Sequence, residues 1–314
     1  MRGFKNVYLE NWEDFVDKFI QFENEQKKFI FRGQSNSIND KKVFQKWNLT
    51  SSFNRIHRKH KSYSFSTYLF QHFDSELFDI YYSKYPYVES QSLSSISLLQ
   101  KCYFFQHYGI PTCFIDFTFD PLIALYFSIS TLEGTSGGLY DDKGNPLFYS
   151  NDSDRDYVSI YQINVELLQK LLGSKEITES SFNIDNLESF NVCPNIFSGP
   201  NISLGLDLNP ISSNSDFNNY NLKMQKGCFL YYDNEDFKGC LEEFIELYCM
   251  INGVNNYDSI ITIYNINYNS LFKKNQNPSA KPLFRFLKER KLTGEYLFND
   301  IQGLKYDFNF FHNQ

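Results

Sequence analysis

A chain of 314 residues with 18% aromatic residues, 15 glycines and 9 prolines can bury a sizeable core, which excludes a disordered or low-complexity polypeptide. Its formal charge of −7 excludes a global field that gathers nucleic acid or acidic lipid, leaving only a local basic patch for such contacts. Cys102, Cys113, Cys193, Cys228, Cys240 and Cys249 show no Cys-x-x-Cys spacing, and no apolar run approaches ~18 residues. With no secretory leader, the reading is a soluble cytoplasmic protein with reduced thiols.

Val7–Leu9 reads as a short strand, and Asn11 caps a helix whose apolar positions Trp12, Phe15, Val16 and Phe19 recur at helical period. Residues 28–34 form a second strand ending in Arg32-Gly33. Residues 47–55 read as a turn, and Arg55 opens a basic run through Lys61. Helices are expected over 63–83 and 91–107, and a polar loop over 134–156. Residues 158–163 alternate like a strand, and 165–172 form a short helix. The Asn/Ser/Asp-rich segment 183–221 reads as an insertion or lid. A strand over 227–232, helices near 238–250 and 280–290, and a strand over 259–264 follow. There is no internal repeat. The order of elements implies one α+β domain over 1–314.

Residues 106–128 are the centre of the pattern. Gly109 and Pro111 end the preceding helix, residues 112–115 are a β-prone run, and 116–121 read as a turn. Asp120 is placed to cap the next helix, with Pro121 at its first position, where a missing N–H costs nothing. That helix is apolar almost all round and is expected to be buried. His107, Asp116 and Thr118 are the polar groups offered at the strand.

Four separated motifs resemble the FRG family. They are Phe31-Arg32-Gly33-Gln34; Trp47-x-Leu49 with Ser52-Phe53-x-Arg55; Gln106 through Thr112 with Asp116-x-Thr118 and Ala124–Phe127; and Gln225-x-Gly227-x-Phe229. The tail Leu297-Phe298-x-Asp300-x-x-Gly303-Leu304 is similar to the family's usual ending. The motif blocks are 28–34, 106–128, 224–232 and 296–304. Their order in turn resembles ADP-ribosyltransferases of the Arg-Ser-Glu type, which implies a mixed, split β-sheet core flanked by helices and NAD as substrate. Two features depart from that type: no Ser-Thr-Ser is present, and Gln225 stands where a glutamate is expected.

On that resemblance Arg32 binds the NAD phosphates and Gly33 lets the ligand approach the backbone. Gln34, His107 and Tyr108 join Arg32, Gly33 and Thr118 in binding the cofactor, with Tyr108 stacking on a ring. Asp116 and Thr118 shape the ribose pocket, and Gln225 contacts the ribose near the reacting carbon. Guanidinium geometry suits a pyrophosphate. The same residue types also admit a structural account. Arg32 then pairs with Asp116 or Asp300, and His107 and Tyr108 are core. Glu242, Glu243 and Glu246, at helical spacing, read as a solvated face.

The leading expectation is a transfer of ADP-ribose from NAD to a nucleic-acid or protein acceptor, as a toxin or anti-phage effector with an antitoxin or other inhibitor protein as partner. A non-catalytic nucleotide-sensing or protein-interaction module is the alternative. A hydrolase or nuclease using His107, Asp116 and Asp120 is the third. No Walker loop, dinucleotide glycine motif or metal-spaced Cys/His set is present, so no metal is expected.

Overall fold

The protein is seen here as a computed structural model that describes residues 4–20, 28–35, 48–57, 105–106, 109–130, 157–171, 202–207, 220–234, 239–251, 259–271, 282–298 and 301–312. Among the described residues seven strands carry the fold: β1 (Lys5–Leu9), β2 (Phe29–Gln34), β3 (Phe114–Thr118), β4 (Tyr157–Asn164), β5 (Ile202–Asp207), β6 (Gly227–Asn234) and β7 (Ile261–Asn267). They form one sheet in the order β1-β7-β4-β2-β3-β6-β5. β1 and β7 run parallel and every other neighbour pair is antiparallel, so the sheet is mixed. With helices on both faces, the architecture is a single-domain α+β fold.

Alternation along the strands sends apolar side chains to both faces, as a sheet buried on two sides requires. On one face Phe31, Val158, Ile160, Tyr264 and Ile266 pack against α1 (Trp12–Ile20), α3 (Pro121–Ser130) and α8 (Pro282–Glu289). On the other, Ile30, Ile115, Phe117, Tyr161 and Ile163 meet α4 (Val165–Leu171) and α6 (Leu241–Ile251), with Leu49 between. The local signals explain where helices begin. Asn11 Oδ1 accepts from the Asp14 N–H at 2.8 Å at the start of α1. Asp120 Oδ1 accepts from Leu122 N at 2.9 Å and Ile123 N at 3.4 Å, so Pro121 does open a capped, buried α3.

Several expectations are corrected. The strand at 112–115 continues through Thr118, so Asp116 lies within β3 and not in a turn. Its sequence alternates Phe114, Asp116 and Thr118 with Ile115 and Phe117, and pairing with β6 along its whole length outweighs the poor β propensity of aspartate. Residues Ser52–His57 form α2 rather than an open turn. Within the segment read as an insertion, β5 pairs with β6 as an edge strand of the main sheet, and Tyr220–Met224 is a short helix, α5. After β7 come α7 (Tyr268–Leu271) and, last among the described elements, α9 (Gly294–Leu297) and α10 (Ile301–His312). The expected helix over 63–83 and the loop over 134–156 lie outside the described residues, as does all of the helix over 91–107 except helical Phe105 and Gln106.

Candidate functional site

β2 pairs with β4 along its full length, from Phe29↔Asn164 to Gln34↔Ser159. Against β3 it pairs only at Phe31↔Thr118. The two strands therefore part beside the next residue, Arg32, whose side chain enters the opening. Its Nη1 donates to the Asp116 backbone oxygen at 2.7 Å and lies 3.6 Å from Asp116 Oδ2. A guanidinium has five N–H donors. Among the described residues this one makes a single hydrogen bond, and its Nε is buried with no partner. An unpartnered donor on a buried cation is costly unless something else accepts it.

Asp116 is the exposed partner, with 54% of its side chain accessible against 25% for Arg32. Both of its carboxylate oxygens accept from Gln106 Nε2, at 3.0 and 2.9 Å. Gln106 Oε1 in turn accepts the hydroxyl of Thr112, and Thr112 Oγ1 accepts from Phe114 N at 3.2 Å. Ser52 ties α2 to the same point: Thr112 N donates to Ser52 Oγ at 3.0 Å, and Phe53 N donates to Thr112 O at 3.0 Å. On the side of α10, the Tyr306 ring stacks on Phe298 with centroids 4.6 Å apart and meets Phe127 edge-on. Burial first, then the Asp116 carboxylate, hold the Tyr306 phenol above its ordinary value, while Arg32 acts the other way. Tyr306 was missed from sequence, because its only local signal is an aromatic residue among several in that helix.

Beneath Arg32 in the register is Tyr161 of β4, fully buried. Its hydroxyl bonds Glu242, and both Glu242 oxygens accept from Leu49 N at 3.0 Å. Burial pushes the Glu242 carboxyl above its ordinary value, opposed chiefly by the Leu49 N–H. The same burial raises Tyr161 well above its own. The expectation of a solvated face thus fails for Glu242. The residue sits in the first turn of α6, where the chain at Leu49 crosses and offers a backbone donor. Glu243 is half-buried and caps the helix, accepting from Cys240 N at 3.0 Å.

Residues 27–135 match the family model of the FRG domain. Over that stretch the chain carries an FRG domain. No curated protein and no solved structure matches the chain. The matched FRG segment holds β2, α2, β3 and α3, and with them Arg32, Gln106, Thr112 and Asp116. From beyond it come Tyr306, beside Asp116 and Arg32, and the buried Tyr161 and Glu242 of the core next to Arg32.

Other expected site residues are placed differently. The missing Cβ of Gly33 makes room for α3 rather than for a ligand. A methyl there would overlap the Ala124 carbonyl oxygen and stand 2.7 Å from Ser128 N. Gln34 is 5% exposed, and its Oε1 has no partner among the described residues, so its amide faces the interior. Thr118 Oγ1 donates to Gln225 O at 2.7 Å and accepts from Asp120 N at 3.0 Å. Gln225 lies in the turn before β6, and its Nε2 donates to Leu297 O at 3.2 Å. Both brace α5, β6 and α9, and their hydrogen bonds do not run to Arg32 or Asp116. Asp120 is committed as well, to its cap and to Lys226 Nζ at 2.7 Å. His107, Tyr108, Asp300, Trp47 and residues 58–61 of the basic run lie outside the described residues, while Arg55 is exposed. Among the described residues no group of three His, Cys, Asp or Glu side chains is placed to hold a metal ion, and no helix is long and apolar enough to cross a membrane.

Proposed function

We propose that this FRG domain binds NAD in the seam between β2 and β3 and transfers its ADP-ribose to a nucleic-acid or protein acceptor. The observation that carries the reading is Arg32: a guanidinium largely withdrawn from solvent at a strand parting, with one hydrogen bond among the described residues and a buried Nε that has no partner there. A pyrophosphate supplies acceptors in the fork geometry such a group requires. The single pairing at Phe31↔Thr118 fits the split sheet that the resemblance to Arg-Ser-Glu transferases implies. Tyr306, Phe298 and Phe127 form an aromatic wall beside it. As a toxin or anti-phage effector acting in the cytoplasm, such an enzyme requires an inhibitor protein.

The test is incubation of the purified chain and cell extract with labelled NAD, following label transfer and nicotinamide release. Activity in the wild type and its loss in Arg32→Ala support the reading. Neither transfer nor release under any condition tried overturns it. A second reading, a nucleotide-sensing module, is favoured by Gln225, an amide where the transferase type has an acid, and one already engaged with Leu297 O. Calorimetry against NAD and ADP-ribose separates the two: heat of binding with no nicotinamide release selects the sensor.

A further inference from the structure

We propose that Gln106 is a positioning residue that fixes the Asp116 carboxylate beside Arg32, and that Asp116, not Gln225, supplies the negative charge at the reacting sugar carbon. This rests on the NAD reading above.

Among the described residues, Asp116 differs from Asp307 and Asp120. Asp307 is filled by the protein itself, accepting from Tyr126 Oη at 2.6 Å, Gly294 N at 2.8 Å and Glu295 N at 3.0 Å. Asp120 is filled by two backbone N–H groups and Lys226. An ionised carboxylate offers about four acceptor sites. Asp116 receives one amide nitrogen across both oxygens, faces a cation at 3.6 Å and remains more than half exposed. An exposed aspartate with so few bonds would ordinarily sample several rotamers. Here the amide that holds it is itself held. The Thr112 hydroxyl occupies Gln106 Oε1, which leaves Nε2 as the face turned to Asp116. Thr112 is pinned by Phe114 N and by Ser52 of α2. The orientation of the carboxylate is thus set by a relay that starts in the core and ends at solvent. A carboxylate fixed in place but not filled is the arrangement that electrostatic stabilisation of a developing cation needs.

In the transfer, the bond between the ribose C1′ and the pyridinium nitrogen breaks, and its electron pair leaves with neutral nicotinamide. C1′ becomes oxocarbenium-like beside Asp116. The acceptor's oxygen or nitrogen then donates a lone pair to C1′, and its proton passes to Asp116 or water. Gln106 touches none of these atoms. It acts only through Asp116.

The experiment compares wild type, Gln106→Glu, Gln106→Ala, Asp116→Asn and Arg32→Ala by nicotinamide release, ADP-ribose calorimetry and thermal melting. Gln106→Glu is the decisive variant. It keeps an acceptor for Thr112 and the same size, but sets an oxygen against the oxygens of Asp116. We expect kcat to fall about 10²-fold in Gln106→Glu and Gln106→Ala, and by at least as much in Asp116→Asn, with KM for NAD changed less than about 3-fold. ADP-ribose affinity should persist in the Gln106 variants and be lost in Arg32→Ala, and melting should be unchanged in Gln106→Glu. If wild type turns over NAD and Gln106→Glu turns it over equally, or only KM moves, the positioning role is overturned while the NAD reading stands. If the wild type releases no nicotinamide, both fall.

Discussion

Arg32 and Gln225 show what a single side chain's hydrogen bonds decide. Arg32 has donors to spare; Gln225 does not. Arg32→Ala should remove charge-assisted bonds worth ~1.5–3 kcal/mol each to a bound phosphate while leaving the fold intact. Arg32→Lys should rescue little, because an ammonium offers a point charge and not a planar fork. Unfolding of both variants in a thermal melt would make Arg32 structural and sink the site. For Gln225 the expectation reverses. A glutamate there, far from completing a catalytic set, would lose the donor to Leu297 O and place a charged oxygen near that carbonyl, now 3.2 Å from the amide nitrogen. Gln225→Glu should therefore destabilise the protein by ~1–3 kcal/mol, more than Gln225→Ala, with no rise in NAD cleavage. A gain of nicotinamide release in Gln225→Glu would contradict this placement. The sequence motif located Gln225 but not the Leu297 carbonyl 72 residues away, which no local pattern encodes.

At the level of elements, the contact between β2 and α3 holds the seam in place, and Gly33 permits it. A Cβ at that residue would run into the Ala124 carbonyl and stand 2.9 Å from its carbon, all backbone atoms that no side-chain rotation moves. Gly33→Ala should cost ~3 kcal/mol or more, read as a lower melting temperature or loss of soluble protein. A variant that melts like wild type would show that α3 can shift freely. Much of this level was legible beforehand. Asn11 and Asp120-Pro121 announced their helices because a cap is a local, chemical signal. The strands at 28–34 and 158–163 announced themselves by composition and alternation. What stayed hidden depended on distant partners. β5 has alternating Ile202, Leu204 and Leu206, but it sits in a polar segment, and only pairing with β6 makes it a strand. Glu242 looked like surface because helical spacing says nothing of the Leu49 N–H that crosses above it. Asp116 could be singled out as a candidate from sequence, whereas its hydrogen bonds to Gln106 could not, since only the folded strand brings the two side chains together.

For the molecule as a whole, burial of titratable groups beneath the sheet sets how stability responds to pH. Glu242 has its folded pKa raised above the ordinary 4.5, first by burial. A raised carboxyl retains its proton in the folded state longer than in the unfolded one. Its contribution is therefore fully present below about pH 4.5 and is lost as pH rises through the folded value. Further up, burial raises the Cys249 thiol from 9.0 to about 11 and the Tyr264 phenol from 10.0 to about 12, and it raises Tyr126 and Tyr161 as well. All four shifts have the same sign, so the fold should lose stability again from about pH 9 towards about pH 12. Glu242→Gln isolates the first loss. The amide oxygen can still accept from Leu49 N, but the group no longer ionises. Denaturant unfolding across a pH series should give wild type and Glu242→Gln a constant difference below about pH 4.5. Above it the variant should gain on wild type, and the alkaline fall should remain in both. Parallel curves through the neutral range would mean that Glu242 is not held protonated by its burial.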